Sequence, residues 1–131
     1  MRTGWLLDSV ALIDWYCGRT GVVGYVTSIL QGESSGAFST ISEVELWQGI
    51  RPGEEERHEA MLLRLHRIPV DQAIARRAGE LRRELGLDKL SLPDAVIAAT
   101  AAVTGQTLLT RNTQDFSALV DRFDIEFYPK N

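Results

Sequence analysis

The chain has 131 residues, 44% of them hydrophobic and 24% charged, which suits a single globular domain with one core and leaves no room for a second. Its 14 Lys and Arg against 18 Asp and Glu give a net charge of −4; this excludes polyanion binding through overall positive charge, so any nucleic acid must meet a local patch. The one cysteine, Cys17, cannot form an internal disulfide, the start lacks a charged and then long apolar leader, and charged residues interrupt every run approaching the ~18 apolar residues of a membrane span, so a reducing cytoplasm fits best.

Gly-Trp-Leu-Leu-Asp at 4–8 reads as a buried strand closed by an acid, with Ser9 capping the helix that follows. Val10, Leu12, Ile13, Trp15 and Tyr16 are too densely apolar for a surface loop, and Gly18 and Gly21 punctuate their end. Residues 22–30 continue as helix until the turn-forming Gln-Gly-Glu-Ser-Ser-Gly at 31–36, after which 37–41 is a second strand. From Ser42, the spacing of Val44, Leu46, Trp47 and Ile50 predicts a short helix, ended by Gly49 and Pro52, with Glu43 and Glu45 on neighbouring faces.

An amphipathic helix is expected over 54–67, with acids in its first turn, bases in its last, and a stripe of Met61, Leu62, Leu65 and Ile68. Ile-Pro-Val at 68–70 is a minimal strand, and Asp71 caps a helix over 72–85 striped by Ile74, Ala78, Leu81 and Leu85 and stopped by Gly86. Ser-Leu-Pro-Asp at 91–94 opens an alanine-rich helix that runs to Val103 and ends at Gly105. Residues 106–110 form a strand, 112–120 a short helix capped by Asn112, and 123–128 a last strand with alternating Phe123, Ile125 and Phe127. No internal repeat is visible. Strands alternating with helices imply an α/β domain with a mostly parallel central sheet and helices on both faces, whose ligands gather beyond the carboxyl ends of the strands.

Four acids fall at that rim: Asp8 after the first strand, Glu45 in the helix after the second, Asp94 opening the alanine-rich helix, and Asp115 after the strand ending at Thr110. Each alone has a structural explanation, as a helix cap or a first-turn acid, and Ser91 with Asp94 matches a capping box. Together they repel one another unless a cation or proton neutralises them. A hard divalent ion such as Mg²⁺ or Mn²⁺ accepts oxygen ligands, keeps several waters and polarises one of them.

The segments Leu-Leu-Asp-Ser at 6–9, Ser-Thr-Ile-Ser-Glu-Val-Glu-Leu-Trp-Gln-Gly at 39–49, Leu-Pro-Asp-Ala-Val-Ile-Ala-Ala-Thr-Ala at 92–101 and Leu-Thr-Arg-Asn-Thr-Gln-Asp-Phe at 109–116 resemble, in order and over nearly the whole chain, the signature segments of the PIN-domain nucleases, specifically the VapC-type toxins of toxin–antitoxin pairs. The resemblance implies a single PIN domain over 1–131, a three-layer α/β/α sandwich. Its main acidic positions fall on Asp8, Glu45 and Asp94. For the fourth, many relatives carry an acid at the position of Asn112, whereas others have an asparagine there and an aspartate at that of Asp115, the form present here; Asp115 would then bind metal through water or support the site, and Ser9, Thr110, Asn112 and Arg111 would support the site or the substrate phosphate. Val10 stands where many relatives have Asn or Ser, which argues against a role there, and the Glu-Leu-x-x-Gly register favours Glu45 over a solvated Glu43.

The activity so implied is metal-dependent hydrolysis of RNA phosphodiester bonds with Mg²⁺ or Mn²⁺, leaving a 5′-phosphate and a 3′-hydroxyl. The implied partners are an RNA substrate, a cognate antitoxin protein and a second copy of the chain in a homodimer, with no membrane. The helices around 13–26 and 60–65 have apolar residues to spare for such contacts. Arg64, Arg67, Arg76, Arg77, Arg82, Arg83 and Arg111 are candidates to guide RNA past the acids, although the helical arginines fit a solvated face equally well. His58 and His66 read as surface residues, and Trp5, Trp15 and Trp47 as core or interface. Two other classes of function compete: a catalytically silent binding module on the same scaffold, and a phospho-acceptor signalling domain, which would need a lysine after a late strand where only Lys89 and Lys130 are on offer.

Overall fold

In a computed structural model the described residues are 3–130. Five strands, β1 (Thr3–Leu7), β2 (Ser34–Ser39), β3 (His66–Ile68), β4 (Thr107–Thr110) and β5 (Ile125–Phe127), form one sheet in the order β3-β2-β1-β4-β5. Every pairing is parallel, with Leu6 opposite both Ala37 and Leu108. Parallel pairing demands long crossovers, and the helices supply them: α1 (Ser9–Tyr16), α2 (Thr20–Leu30), α3 (Thr40–Gln48), α4 (Glu55–Leu62), α5 (Gln72–Leu85), α6 (Leu92–Thr104) and the short α7 (Thr113–Phe116), which runs into a 3₁₀ turn at Ser117–Leu119.

The two-residue period of a strand sends successive side chains to opposite faces, and the apolar residues follow it. Leu6, Ala37 and Leu108 join α5 and α6 in one core, where Ala95, Ala98, Ala99 and Ala101 let α6 lie close against the sheet. Leu7, Phe38 and Leu109 join α1, α2 and α4 in a second core on the other face. The result is the three-layer α/β/α sandwich expected. The chain winds outward from β1 through β2 to β3, then returns to β1's other side for β4 and β5. The crevice between the carboxyl ends of β1 and β4 is therefore the point where the winding reverses, the position at which such sheets bind ligands.

Several boundaries differ from the sequence reading. The cap of α1 is Asp8, not Ser9. Strand β2 starts three residues early, at Ser34, and α3 starts at Thr40 behind the Ser39 cap. Of the serines read as turn formers, Ser34 is buried and Ser35 half-buried; the Ser28 and Ser34 hydroxyls are 2.9 Å apart, and Gly36 is pressed between Ile29 and Leu65. Helix α4 stops at Leu62, and its continuation becomes β3 at His66–Ile68, not 68–70, because pairing with Ala37, Phe38 and Ser39 outweighs helix propensity. Arg64 and Arg67 thus lie outside the helix whose last turn they were expected to fill. The strands expected over 106–110 and 123–128 are trimmed to β4 and β5, and the helix expected over 112–120 is α7 plus the 3₁₀ turn.

Candidate active site

Asp8 leaves β1 at the reversal point and is 5% exposed. Its Oδ1 accepts the Ser9 backbone N–H at 2.7 Å, and its Oδ2 accepts the Thr110 hydroxyl from the end of β4 at 2.7 Å. Thr110 Oγ1 in turn accepts the Asn112 N–H at 3.0 Å, bracing the turn that leads into α7. The Ser9 hydroxyl donates to Glu45 Oε1 at 2.6 Å, tying α3 to α1. Asn112 caps α7: its Oδ1 accepts the Asp115 N–H at 3.1 Å while its Nδ2 donates to Asp115 Oδ2 at 2.7 Å. At the start of α6, Ser91 Oγ accepts the Asp94 N–H at 3.2 Å.

Asp8, Ser9, Glu45, Asp94, Arg111, Asn112 and Asp115 line one cavity of about 540 Å³, together with Val10, Ile13, Gln48, Ser91 and Pro93. Thr110, fully buried, supports it from beneath through Asp8. The capping explanation and the convergent one are thus both true of these acids. Asp8 caps α1, and Asp94 and Asp115 sit in the first turns of α6 and α7. The helix N-termini that stabilise negative charge all meet at this rim.

Even so, the carboxylates resist ionisation. Burial pushes Asp8 up to about 6, with repulsion from Glu45 and Asp115 adding to it, against the opposing hydrogen bonds from Thr110 and Ser9. Asp94 is raised to about 7, first by burial, then by a hydrogen bond shared with Asp115 and by the charges of Asp8 and Asp115, while Ser91 pulls the other way. A cluster that resists full ionisation is one that a cation would stabilise.

The donor set fits a hard ion. The acids and amides of the cavity offer oxygen ligands, and no His or Cys is among its lining residues. No group of three or more His, Cys, Asp or Glu among the described residues is gathered closely enough to coordinate an ion by itself. An ion there would complete its shell with water, as Mg²⁺ commonly does.

Other candidates are placed elsewhere. Glu43 points away from the cavity. Burial alone would raise its pKa, but hydrogen bonds from Arg67 and Trp47 take it below the ordinary carboxylate range. Arg67 is occupied by that pair, Arg77 pairs with Glu80 and Glu84, and Arg82 donates to the Leu87 and Leu90 carbonyls. Arg77 is paired along its helix as the solvated-face reading expects, whereas Arg67 lies in β3 and Arg82 is tied to backbone carbonyls. His66 is exposed, but His58 is buried and stacks on Tyr16 at 3.9 Å, contrary to its surface assignment. Its aromatic neighbours Tyr16 and Trp47 supply the apolar wall that sequence spacing alone does not reveal. Neither Lys89 nor Lys130 lines the cavity, so it lacks the lysine that a signalling domain needs.

Two residues escaped the sequence reading. Gln48 follows Glu45 at i+3, a spacing that already puts them on one helix face. Asp14 is a lone acid in the apolar run of α1; it is 1% exposed and bonded to Arg111 at 2.7 Å.

The PIN-domain family model matches residues 5–121. The chain is 33% identical over 115 residues to ribonuclease VapC10 of Mycobacterium tuberculosis, covering 85% of this chain and 84% of that protein. It is 29% identical to ribonuclease VapC19 of the same organism over 121 residues, 88% and 94% of the two chains. Among solved structures, a chain of a toxin–antitoxin complex from Klebsiella pneumoniae aligns with a TM-score of 0.74 and 35% identity over 87% of this chain and 91% of that one. VapBC2 from Rickettsia felis, bound to a DNA fragment from its promoter, shares the fold at a TM-score of 0.79 and 22% identity, covering 97% and 100%. The match in sequence and fold runs through every element that builds the acidic cavity, and the chain belongs to the PIN-domain family, in its VapC branch.

Proposed function

We propose that this chain is an endoribonuclease, dependent on Mg²⁺ or Mn²⁺, that acts as the toxin of a type II toxin–antitoxin pair in the cytoplasm, with residues 1–131 forming a single PIN domain. The observation that carries the reading is the convergence of Asp8, Glu45, Asp94 and Asp115 on one cavity at the reversal point of the sheet. The VapC10 and VapC19 ribonucleases and the toxin–antitoxin complexes it resembles supply the substrate class and the kind of partner.

In this reading Asp8 and Asp94, helped by Glu45 and Asp115, hold the ion. When bound, it supplies Lewis acidity at the scissile phosphate and at the attacking water. Thr110 and Ser9 hold Asp8 and Glu45 in place, and Asn112 holds Asp115. Arg111, at the cavity wall, is the cation placed to meet a substrate phosphate. The antitoxin and a second copy would cover apolar side chains that α1, α2 and the end of α4 leave in solvent: Ile13, Val23 and Leu30 are 43%, 47% and 51% exposed, and Leu63 is 85% exposed. No helix among the described residues is long and apolar enough to cross a membrane.

The test is cleavage of structured RNA with Mg²⁺ and with EDTA. Wild type should cut only with metal, and Asp8→Asn and Asp94→Asn should each lose at least about 100-fold in kcat/KM. Equal, EDTA-resistant cleavage by both variants overturns the mechanism.

A further inference from the structure

Behind the cavity, α1 carries an acid to which the reaction above gives no role. Asp14 Oδ2 accepts both Arg111 Nε at 2.7 Å and the Tyr128 hydroxyl at 2.6 Å. Arg19 Nε stands 3.4 Å from Oδ1, and the Arg19 N–H donates to the Asp14 carbonyl at 2.9 Å. Burying a carboxylate is costly even when it is paired, and an apolar side chain of similar size often gives a more stable protein. A helix otherwise built on Ala11 and Leu12 therefore gains little stability from this choice.

What the acid does hold is specific. Arg111 lies between Thr110, which donates to Asp8, and Asn112, which holds Asp115. Its side chain is 26% exposed and lines the cavity, while its bond to Asp14 runs through Nε at the neck of the guanidinium. Tyr128, following β5, reaches the same carboxylate oxygen, and burial together with this bond raises its hydroxyl well above the ordinary tyrosine range. The phenol therefore stays a donor.

We infer that Asp14 is a positioning residue, which grips Arg111 by its Nε so that the guanidinium is held at the cavity wall to receive the RNA phosphate, with Tyr128 steadying the gripping oxygen. The inference rests on the ribonuclease reading. Held this way, the arginine keeps its charge and has lost its rotamer freedom before the substrate arrives.

The test is a double-mutant cycle on the full chain with Asp14→Asn and Arg111→Ala. Each single change should lower kcat/KM for RNA by about 10- to 100-fold, the range for residues that orient a catalytic group. The double variant should be no worse than Arg111→Ala alone, and the Mg²⁺ concentration for half-maximal rate should not move. A merely structural Asp14 would lower the melting temperature and act in both backgrounds alike.

The same cycle is repeated as RNA binding in EDTA with Asp94→Asn present, so that a chain that does not cleave still decides the point. Loss of cleavage by wild type would count against the functional reading, whereas non-additive losses in RNA affinity would support the role of Asp14. If Asp14→Asn does not fold, Tyr128→Phe replaces it, and its smaller loss should vanish when Arg111 is already alanine. Multiplying losses, or a folded Asp14→Asn with wild-type cleavage and binding, overturn the inference.

Discussion

Through its hydroxyl Thr110 donates to Asp8 at the end of β1 and accepts the Asn112 N–H, and so ties β4 to an acid and to a turn. Its hydroxyl is the strongest influence holding Asp8 down against burial, so Thr110→Val, nearly the same shape, should let Asp8 rise further above about 6. The acidic limb of kcat/KM against pH should then move to higher pH, with activity lost more at pH ~6 than at pH ~8; an unmoved limb would show that Asp8 does not set it. The variant also leaves the Asn112 N–H without its acceptor, at a cost of about 1 kcal/mol in stability. Asp8, Glu45, Asp94 and Asp115 were legible because acids after strands or at helix starts occupy defined places in an α/β chain. Asp14 was not. Its meaning comes from Arg111 and Tyr128, 97 and 114 residues away in sequence, and no local pattern encodes such a partner.

Strand β2 shows where local chemistry misleads. Ser34, Ser35 and Gly36 look like a turn, yet all three lie in a strand, and Gly36 is there for want of a side chain. A β-carbon on Gly36 would come within 2.5 Å of Leu65 Cδ2 and 2.9 Å of Ile29 Cδ1. Gly36→Ala should therefore cost about 1–3 kcal/mol through overpacking, read as a lower urea midpoint with an unchanged slope. Unaltered stability would mean that Leu65 and Ile29 swing aside freely. The long helices were read well, α5 because its apolar stripe repeats over several turns and α6 because Ser91, Pro93 and Gly105 bound an unbroken apolar, alanine-rich run: both match expectation to within two residues at each end, including the Asp71 and Ser91 caps. The region 54–70 was not, because its apolar positions serve first a helix and then a strand, and only pairing with β2 marks the change.

For the molecule as a unit, the acidic cavity sets a price on stability that depends on pH. Asp8 and Asp94 have folded-state values of about 6 and about 7, above the ordinary 3.8. Between about pH 4 and 7 the native state therefore holds more protons than the unfolded chain, and rising pH removes stability. In EDTA, Asp94→Asn should melt several degrees above wild type at pH ~8 and lose that advantage near pH ~5, where the native carboxyl is already protonated. Mg²⁺ should raise the wild-type midpoint far more at the higher pH. Equal melting of the two proteins at pH ~8 would show that the acids are not in conflict. The alternation of strands and helices made the layered fold legible, while the crossing to β4, which creates the crevice, follows from burying both faces of β1 and has no signal of its own.

The bond from Tyr128 to Asp14 spans nearly the full length of the chain. During translation, the acids at positions 8, 45 and 94 emerge well before β4 and β5 can dock beside β1. Until β4 and β5 have docked, Thr110, Arg111 and Tyr128 are out of their places and the carboxylates have no pocket. The acidic cavity is thus among the last features of the fold to be completed.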